Sequence, residues 1–377
     1  MLPVCVARPG PRPPQWRIDA DPATPQTQAI PPVPGRKIHP WLRLAIRVGV
    51  SVGFLAILIW RIPDFSTHDL FPTWTASVGW WLAASVGILL VAFALQTLRW
   101  IQVLRPLGVR APFLRVFGEF LAGQFVSNVL PTAFAGDVVR ISRLGRDTGD
   151  RAVAFASVAI ERLTGWLVLP LISLVTIAAA ERYRHLGRAT TTAISVDVVT
   201  LVALAAILGA AGHPRFSDAA RTATGWRRWL GSVHLGLDSI RRSPAAVGGI
   251  VLVGTAFQVT QCLSVWAAAR ALQVSPVTVA ATFAFFPPTA IGQNLPVGFG
   301  GLGVREGGFV LFFGALGVSD ARASSLGVVT YLVTVAASAL GAPAFALGGW
   351  RSELRMAEAG TPLDPAAALP DSTAPTA

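Results

Sequence analysis

The stretch Gln293-Asn-Leu-Pro-Val-Gly-Phe-Gly-Gly-Leu-Gly-Val-Arg-Glu306 decides how this chain is read. It lies within the apolar run 277–318, yet it holds a proline, four glycines and the adjacent charges Arg305 and Glu306. A proline deletes one internal helix hydrogen bond, and glycines let the backbone leave helical geometry. In lipid the freed N–H and C=O groups must be packed in protein or line a wet cavity. The stretch therefore predicts a helix broken at membrane depth around Asn294, Pro296, Gly300, Gly301 and Gly303.

The whole chain supports a membrane setting. Of its 377 residues 53% are hydrophobic and 13% charged, and the mean hydropathy is +0.57. A soluble domain carries about a quarter charged residues. Disordered chains, coiled coils and ordinary cytosolic enzymes are excluded. The net charge of +12 comes almost wholly from arginine, with Lys37 the sole lysine. In so apolar a chain this implies positive-inside loops facing anionic lipid, and no nucleic-acid partner. Cys5 and Cys262 suggest no disulfide, and the five histidines have no ligand spacing, so no metal or cofactor is expected.

Apolar runs of spanning length occur at 42–60, 79–98, 152–180, 191–211, 245–272 and 322–349. Each approaches the roughly 20 residues that cross a bilayer core. Arginine placement then sets orientation: the arm with Arg8, Arg12, Arg17 and Arg36 is inside, as is the loop with Arg99, Arg105, Arg110 and Arg115. Segment 113–131 has arginines before it and after it (Arg140, Arg143, Arg146, Arg151), so it is expected to dip in, turn near Pro131 and return. The loop 181–190, with Arg182, Arg184 and Arg188, must face outward, against the charge rule. Segment 212–244 is expected inside, with Trp226 and Trp229 among its arginines suited to the lipid surface. Fold class is an all-α polytopic membrane protein of about six spanning helices plus two Pro/Gly-broken re-entrant elements. Residues 1–40, with 11 of the 28 prolines, read as a disordered cytoplasmic arm, 41–350 as the transmembrane domain and 351–377 as a disordered tail.

The first break reads Asn128-Val-Leu-Pro-Thr-Ala-Phe-Ala-Gly-Asp-Val-Val-Arg140. Shifted by 165 residues, Leu130, Pro131, Phe134, Gly136, Val139 and Arg140 match Leu295, Pro296, Phe299, Gly301, Val304 and Arg305. An inverted repeat would place two such breaks on opposite faces around a shared site. A helix restarting at Asp137 or Gly303 would aim its positive end at the cavity, with Arg140 or Arg305 nearby, which suits a phosphate. The competing reading is that the prolines and glycines only kink helices and the arginines anchor at the interface. Glu161 and Arg162 sit ten residues into the run 152–180. Being adjacent on a helix, they point about 100° apart and cannot pair across one face. Glu161 is expected to take a cation from elsewhere, Arg140 or Arg305, which leaves Arg162 for a lipid phosphate. Alternatively, Glu161 snorkels to the inner surface. Glu119 is a weaker candidate. The glycine run 298–303 lacks the Gly-Lys-Ser/Thr end of a nucleotide loop.

Taken together, the two breaks and Glu161-Arg162 resemble the lysylphosphatidylglycerol synthase transmembrane-region family, the flippase-like domain proteins, over roughly residues 40–350. Ala135 stands where that family is expected to carry a second glycine. The resemblance implies an integral inner-membrane protein that moves phospholipids or polyprenyl-linked lipids between leaflets, and the arginine placement gives it a cytoplasmic N-terminus. The soluble aminoacyl-transferase of the two-domain synthases is not expected in a chain ending at Ala377. On this reading Arg140, Arg162 and Arg305 bind a lipid headgroup, and Asp137, Glu161 and Glu306 support them. The helix breaks lie at Asn128, Pro131, Gly136, Asn294, Pro296, Gly300, Gly301 and Gly303. Two other classes stay open: a membrane-embedded transferase with Asp137, Glu161 or Glu306 as base, and an accessory subunit of a lipid pathway enzyme.

Overall fold

The structure, a computed structural model, describes residues 75–129, 135–211, 244–294 and 303–346, with a few positions between 233 and 241. The expected span 42–60, the two terminal segments, most of the basic segment 212–244 and the breaks at Pro131, Pro296, Gly300 and Gly301 lie outside the described residues.

Ten helices are used here: α1 (Ala76–Leu104), α2 (Phe113–Val129), α3 (Ala135–Thr148), α4 (Arg151–Ala179), α5 (Glu181–Arg184), α6 (Arg188–Ala211), α7 (Pro244–Ala271), α8 (Val279–Gln293), α9 (Val304–Gly314) and α10 (Asp320–Ala339). Five of these, α1, α4, α6, α7 and α10, are long and apolar enough to cross a membrane. They match five of the six expected spans. Their outward faces carry exposed apolar side chains such as Val91, Val175, Val199, Val202 and Leu252, as lipid contact requires. The chain is an all-α, multi-pass membrane protein.

Small residues let these helices approach. Helices α1 and α7 run antiparallel, with Ser85 and Ser264 exchanging hydroxyl hydrogen bonds to each other's carbonyls at 2.8 and 2.9 Å. Alanines 267, 268, 269 and 271 on α7 are buried. Where the hydrophobic effect is absent, close small-residue packing and such hydrogen bonds hold helices together.

The two broken elements are helical hairpins. Helices α2 and α3 are 17 and 14 residues long, too short to cross singly. Their open ends meet, because Arg115 near the start of α2 pairs with Asp147 near the end of α3 at 2.5 Å. The start of α3 lies close against α2: a Cβ on Gly136 would come within 2.2 Å of the Gly123 carbonyl, so a larger residue there must push the helices apart. The Gly136 N–H, unpaired at the start of α3, donates to Ser127 Oγ at 3.1 Å. Helices α8 and α9 form the second hairpin around Phe285, Phe286, Phe309 and Phe312. α8 continues through Pro287 and Pro288, so the break falls only after Gln293.

Helix α10 relates the two. From its N-terminus it passes the base of the second hairpin, since Gly314 lies beside Asp320. It next meets Glu306, for which Gly327 leaves room, and then Arg305, whose guanidinium sits 5.3 Å from the Tyr331 ring centre. The same tyrosine donates its hydroxyl to the Asn128 carbonyl at 3.1 Å, and Asn128 donates to Ser338 at 2.9 Å. Beyond α10, Arg143 near the base of the first hairpin donates to the Phe345 carbonyl at 2.9 Å. The hairpins therefore approach from opposite ends of one spanning helix, and Asn128 of the first and Arg305 of the second both reach Tyr331, about midway along it.

Candidate functional site

Two groups of charges flank this meeting point. The first is a ladder built from three helices. Glu161 on α4 is 1% exposed. It receives Arg99 from α1 at 3.0 Å, Arg140 from α3 at 2.5 Å, and the Gln96 amide. Arg140 also lies 3.6 Å from Asp137, its neighbour one turn earlier, and Arg162 pairs with the same aspartate. In these five residues three guanidiniums face two carboxylates. Arg140 is stacked 3.9 Å over Trp100, whose Nε1 donates to Ser157 at 3.2 Å. Asp137 lies in the first turn of α3, where a negative charge suits the helix dipole.

Arg99 was not expected here. The sequence places it in a basic loop, whereas α1 runs on to Leu104 and leaves Arg99 2% exposed. Glycines make its slot: a Cβ on Gly165 would sit 2.9 Å from its guanidinium nitrogens, and one on Gly254 would sit 3.3 Å from its Cδ. The inside assignment of that loop therefore rests on Arg105, Arg110 and Arg115. Glu161 does not snorkel, because it is enclosed by α1, α3 and α4. Its cations are Arg140, one of the two candidates, and Arg99, while Arg305 lies elsewhere. Arg162, expected to remain for a lipid phosphate, is paired with Asp137.

The second group is at the tip of the other hairpin. Arg305, 7% exposed, donates from Nε to the Gln293 side-chain oxygen at 2.8 Å, while its Nη1 has no hydrogen-bond partner. Among the described residues Glu306 forms no direct ion pair with an arginine, although its charge acts on the neighbouring Arg305. One of its oxygens accepts the Gly303 N–H at 2.6 Å, closing the start of α9, and the other is buried without a partner. Gly303, at φ +82°, lets the backbone enter that helix. Asn294 ends α8, its side-chain amide donating to the Ala290 carbonyl at 2.7 Å. Glu119 sits 3.7 Å from Arg115 at the base of the first hairpin, remote from both groups. Among the described residues no group of His, Cys, Asp and Glu could hold a metal.

Sequence reasoning missed Gln96, Arg99, Gln293 and Tyr331. The available signal was that Gln96 and Arg99 lie one turn apart at the end of an apolar run, on one helix face.

No curated protein matches the chain, and no solved structure does. One family model does, that of the lysylphosphatidylglycerol synthase TM region, over residues 44–341. With that match covering most of the chain, and with the two broken hairpins lying within it, the protein belongs to the lysylphosphatidylglycerol synthase transmembrane-region family.

Proposed function

We propose that the protein moves a phospholipid or polyprenyl-linked lipid between leaflets, receiving its phosphate at Arg305, where the two hairpins converge on Tyr331. The observation that carries this is the state of Arg305: a buried guanidinium that donates to a neutral amide, lies beside an aromatic ring and near the Glu306 charge, and keeps one nitrogen without a hydrogen-bond partner. A buried cation is costly unless something compensates it, and a phosphate would do so bidentately. The ladder around Glu161 holds the facing hairpin in place, with Arg140 and Arg162 contributing positive potential and not direct contacts. Discontinuous helices that meet near the midplane are where transporters place substrates.

We further propose that the membrane is the plasma membrane, with the N-terminus and the first hairpin's base cytoplasmic, against anionic lipid. The arginines of the opposite loop have another task that supports this orientation, since Arg184 caps the Ala178 carbonyl at the end of α4. Reconstitution into vesicles with fluorescent lipids of several headgroups tests transport: faster leaflet exchange for at least one phosphate-bearing lipid is expected. No change for any lipid, with folded protein, would overturn it. An impermeant thiol reagent should reach cysteines placed at 115 and 147 from the cytoplasmic side only.

A further inference from the structure

A second buried polar point lies away from both hairpin tips. Asp197 is near the middle of α6, whose outer face exposes Val198, Val199 and Val202. Asp197 itself is 0% exposed, and neither carboxyl oxygen has a hydrogen-bond partner. Its polar neighbour is Ser173 on α4.

No cation compensates this acid among the described residues. Helices α4, α8 and α9 pack against α6. Beyond Arg162, α4 carries no titratable side chain, and α8 carries none. The charges of α9, Arg305 and Glu306, are at its tip, engaged with Gln293 and Gly303. Glu181, Arg182 and Arg184 lie in the connection before α6. Arg188 is at the start of α6, roughly 13 Å along the axis from Asp197. Tyr183 holds its hydroxyl against Thr278 at 3.1 Å.

Ser173 has one hydroxyl hydrogen, and it goes to the Ala284 carbonyl on α8 at 2.7 Å. That carbonyl is available because its helical partner would be the N–H of Pro288, which does not exist. An ionised Asp197 would thus be a buried anion with no donor. A protonated Asp197 is itself a donor, and it completes a chain from its O–H to Ser173 Oγ and from Ser173 to the Ala284 carbonyl.

We propose that Asp197 is a proton-binding site whose occupancy decides whether Ser173 ties α4 to α8. With the proton bound, Ser173 is committed to Ala284. When the proton leaves for solvent, the carboxylate competes for the serine's single hydrogen, and the Ala284 carbonyl loses its partner. Only the O–H bond of the carboxyl forms and breaks. Helix α4 carries Glu161 and Arg162, and the α8–α9 hairpin carries Arg305, so this joint connects the elements that bear the two charge groups. That proton binding drives lipid movement rests on the function proposed above; the proton site does not.

The test uses the purified full chain in detergent. Between about pH 5 and 9 the melting temperature of the wild type should fall with rising pH, as ionisation strands a charge. Asp197→Asn should lack that component. In a second measurement on the wild type, dicyclohexylcarbodiimide, which attacks protonated carboxyls in apolar surroundings, should label Asp197 several-fold faster at about pH 6 than at about pH 9. The adduct is mapped by mass spectrometry, and sodium should not protect. Parallel melting curves for the two proteins, no adduct at Asp197, or protection by sodium at constant pH would each overturn the proposal. Neither readout needs lipid movement, so failure of the transport reading would register separately, in the vesicle assay.

Discussion

The two hairpins each place an arginine soon after the break, and they surround it in opposite ways. Arg140 has Glu161 and Asp137 beside it and Trp100 beneath it. Arg305 has Gln293, the Tyr331 ring and an open nitrogen. Matching sequence has thus led to one hairpin locked by charge and another whose charge is only partly answered. Position in a repeat fixes where a side chain arrives, while the facing helices decide what it can do. The first hairpin faces α1 and α4, which supply an acid; the second faces α10, which supplies a phenol.

The largest effect should come from breaking the lock. Glu161→Gln leaves Arg99 without its acid and Arg140 with only Asp137, and loss of one partner from a buried pair costs about 3–5 kcal/mol. The purified variant should melt far below the wild type or fail to insert. Adding Arg99→Met to Glu161→Gln should recover part of the loss, because the stranded charge is removed too. A single variant as stable as the wild type would show that the ladder is not what holds the first hairpin.

Next comes the open arginine. Arg305→Ala should lower leaflet exchange by about tenfold or more, the value of a charged hydrogen bond of about 1.5–3 kcal/mol, with little change in melting. Arg305→Lys should keep part of the activity, since lysine offers a point charge without the bidentate fork. Adding Glu306→Gln to Arg305→Ala sharpens the contrast. If exchange then recovers, Arg305 serves Glu306 and not a ligand, and the two hairpins differ less than their contacts imply.

How much of this was legible in the sequence follows the range of the interactions. Five of the six spans and the two hairpins could be read, because apolar length and Pro-Gly breaks act along the chain. The need of Glu161 for a cation could be read as well, since a mid-span carboxylate states its own cost. Its second partner could not, because Arg99 at the end of an apolar run looks like an interface anchor until α4 is seen beside it. That Asp137 pairs with Arg162 in particular could not be read, because the two are remote in sequence and lie on different helices. Helix α8 continues through Pro287 and Pro288, and Ser173 from α4 takes the carbonyl that Pro288 leaves open.

Glycines give a third and smaller comparison. In the first hairpin Gly136 is required by contact, so Gly136→Ala should push α2 and α3 apart at a cost of about 1–3 kcal/mol. In the second, Gly303 meets nothing within 4 Å, and its constraint is the backbone angle alone. Gly303→Ala should therefore cost about 1–2 kcal/mol without spreading its hairpin. Thermal melts give the costs. A disulfide between cysteines placed on facing positions of α2 and α3 should form more slowly in Gly136→Ala but at the wild-type rate in Gly303→Ala.

The smallest effect is expected at the base of the first hairpin. Arg115 is 48% exposed and meets Asp147, itself 37% exposed, at 2.5 Å, and Glu119 at 3.7 Å. Exposed pairs of this kind are worth about 0–1 kcal/mol, because water already solvates both ions and long side chains lose freedom in pairing. Arg115→Ala should accordingly shift the melting temperature only slightly. Raising the salt concentration to about 1 M should erase what difference remains, since screening then acts over about 3 Å. The contrast with Glu161 is what the measurement weighs: the same hairpin bears one ion pair in the protein interior and one at its wet edge. A loss at Arg115 as large as that at Glu161, and insensitive to salt, would mean that the base is as deep as the tip. The segment would then be an inserted pair lying wholly within the membrane and not a hairpin entering from one face.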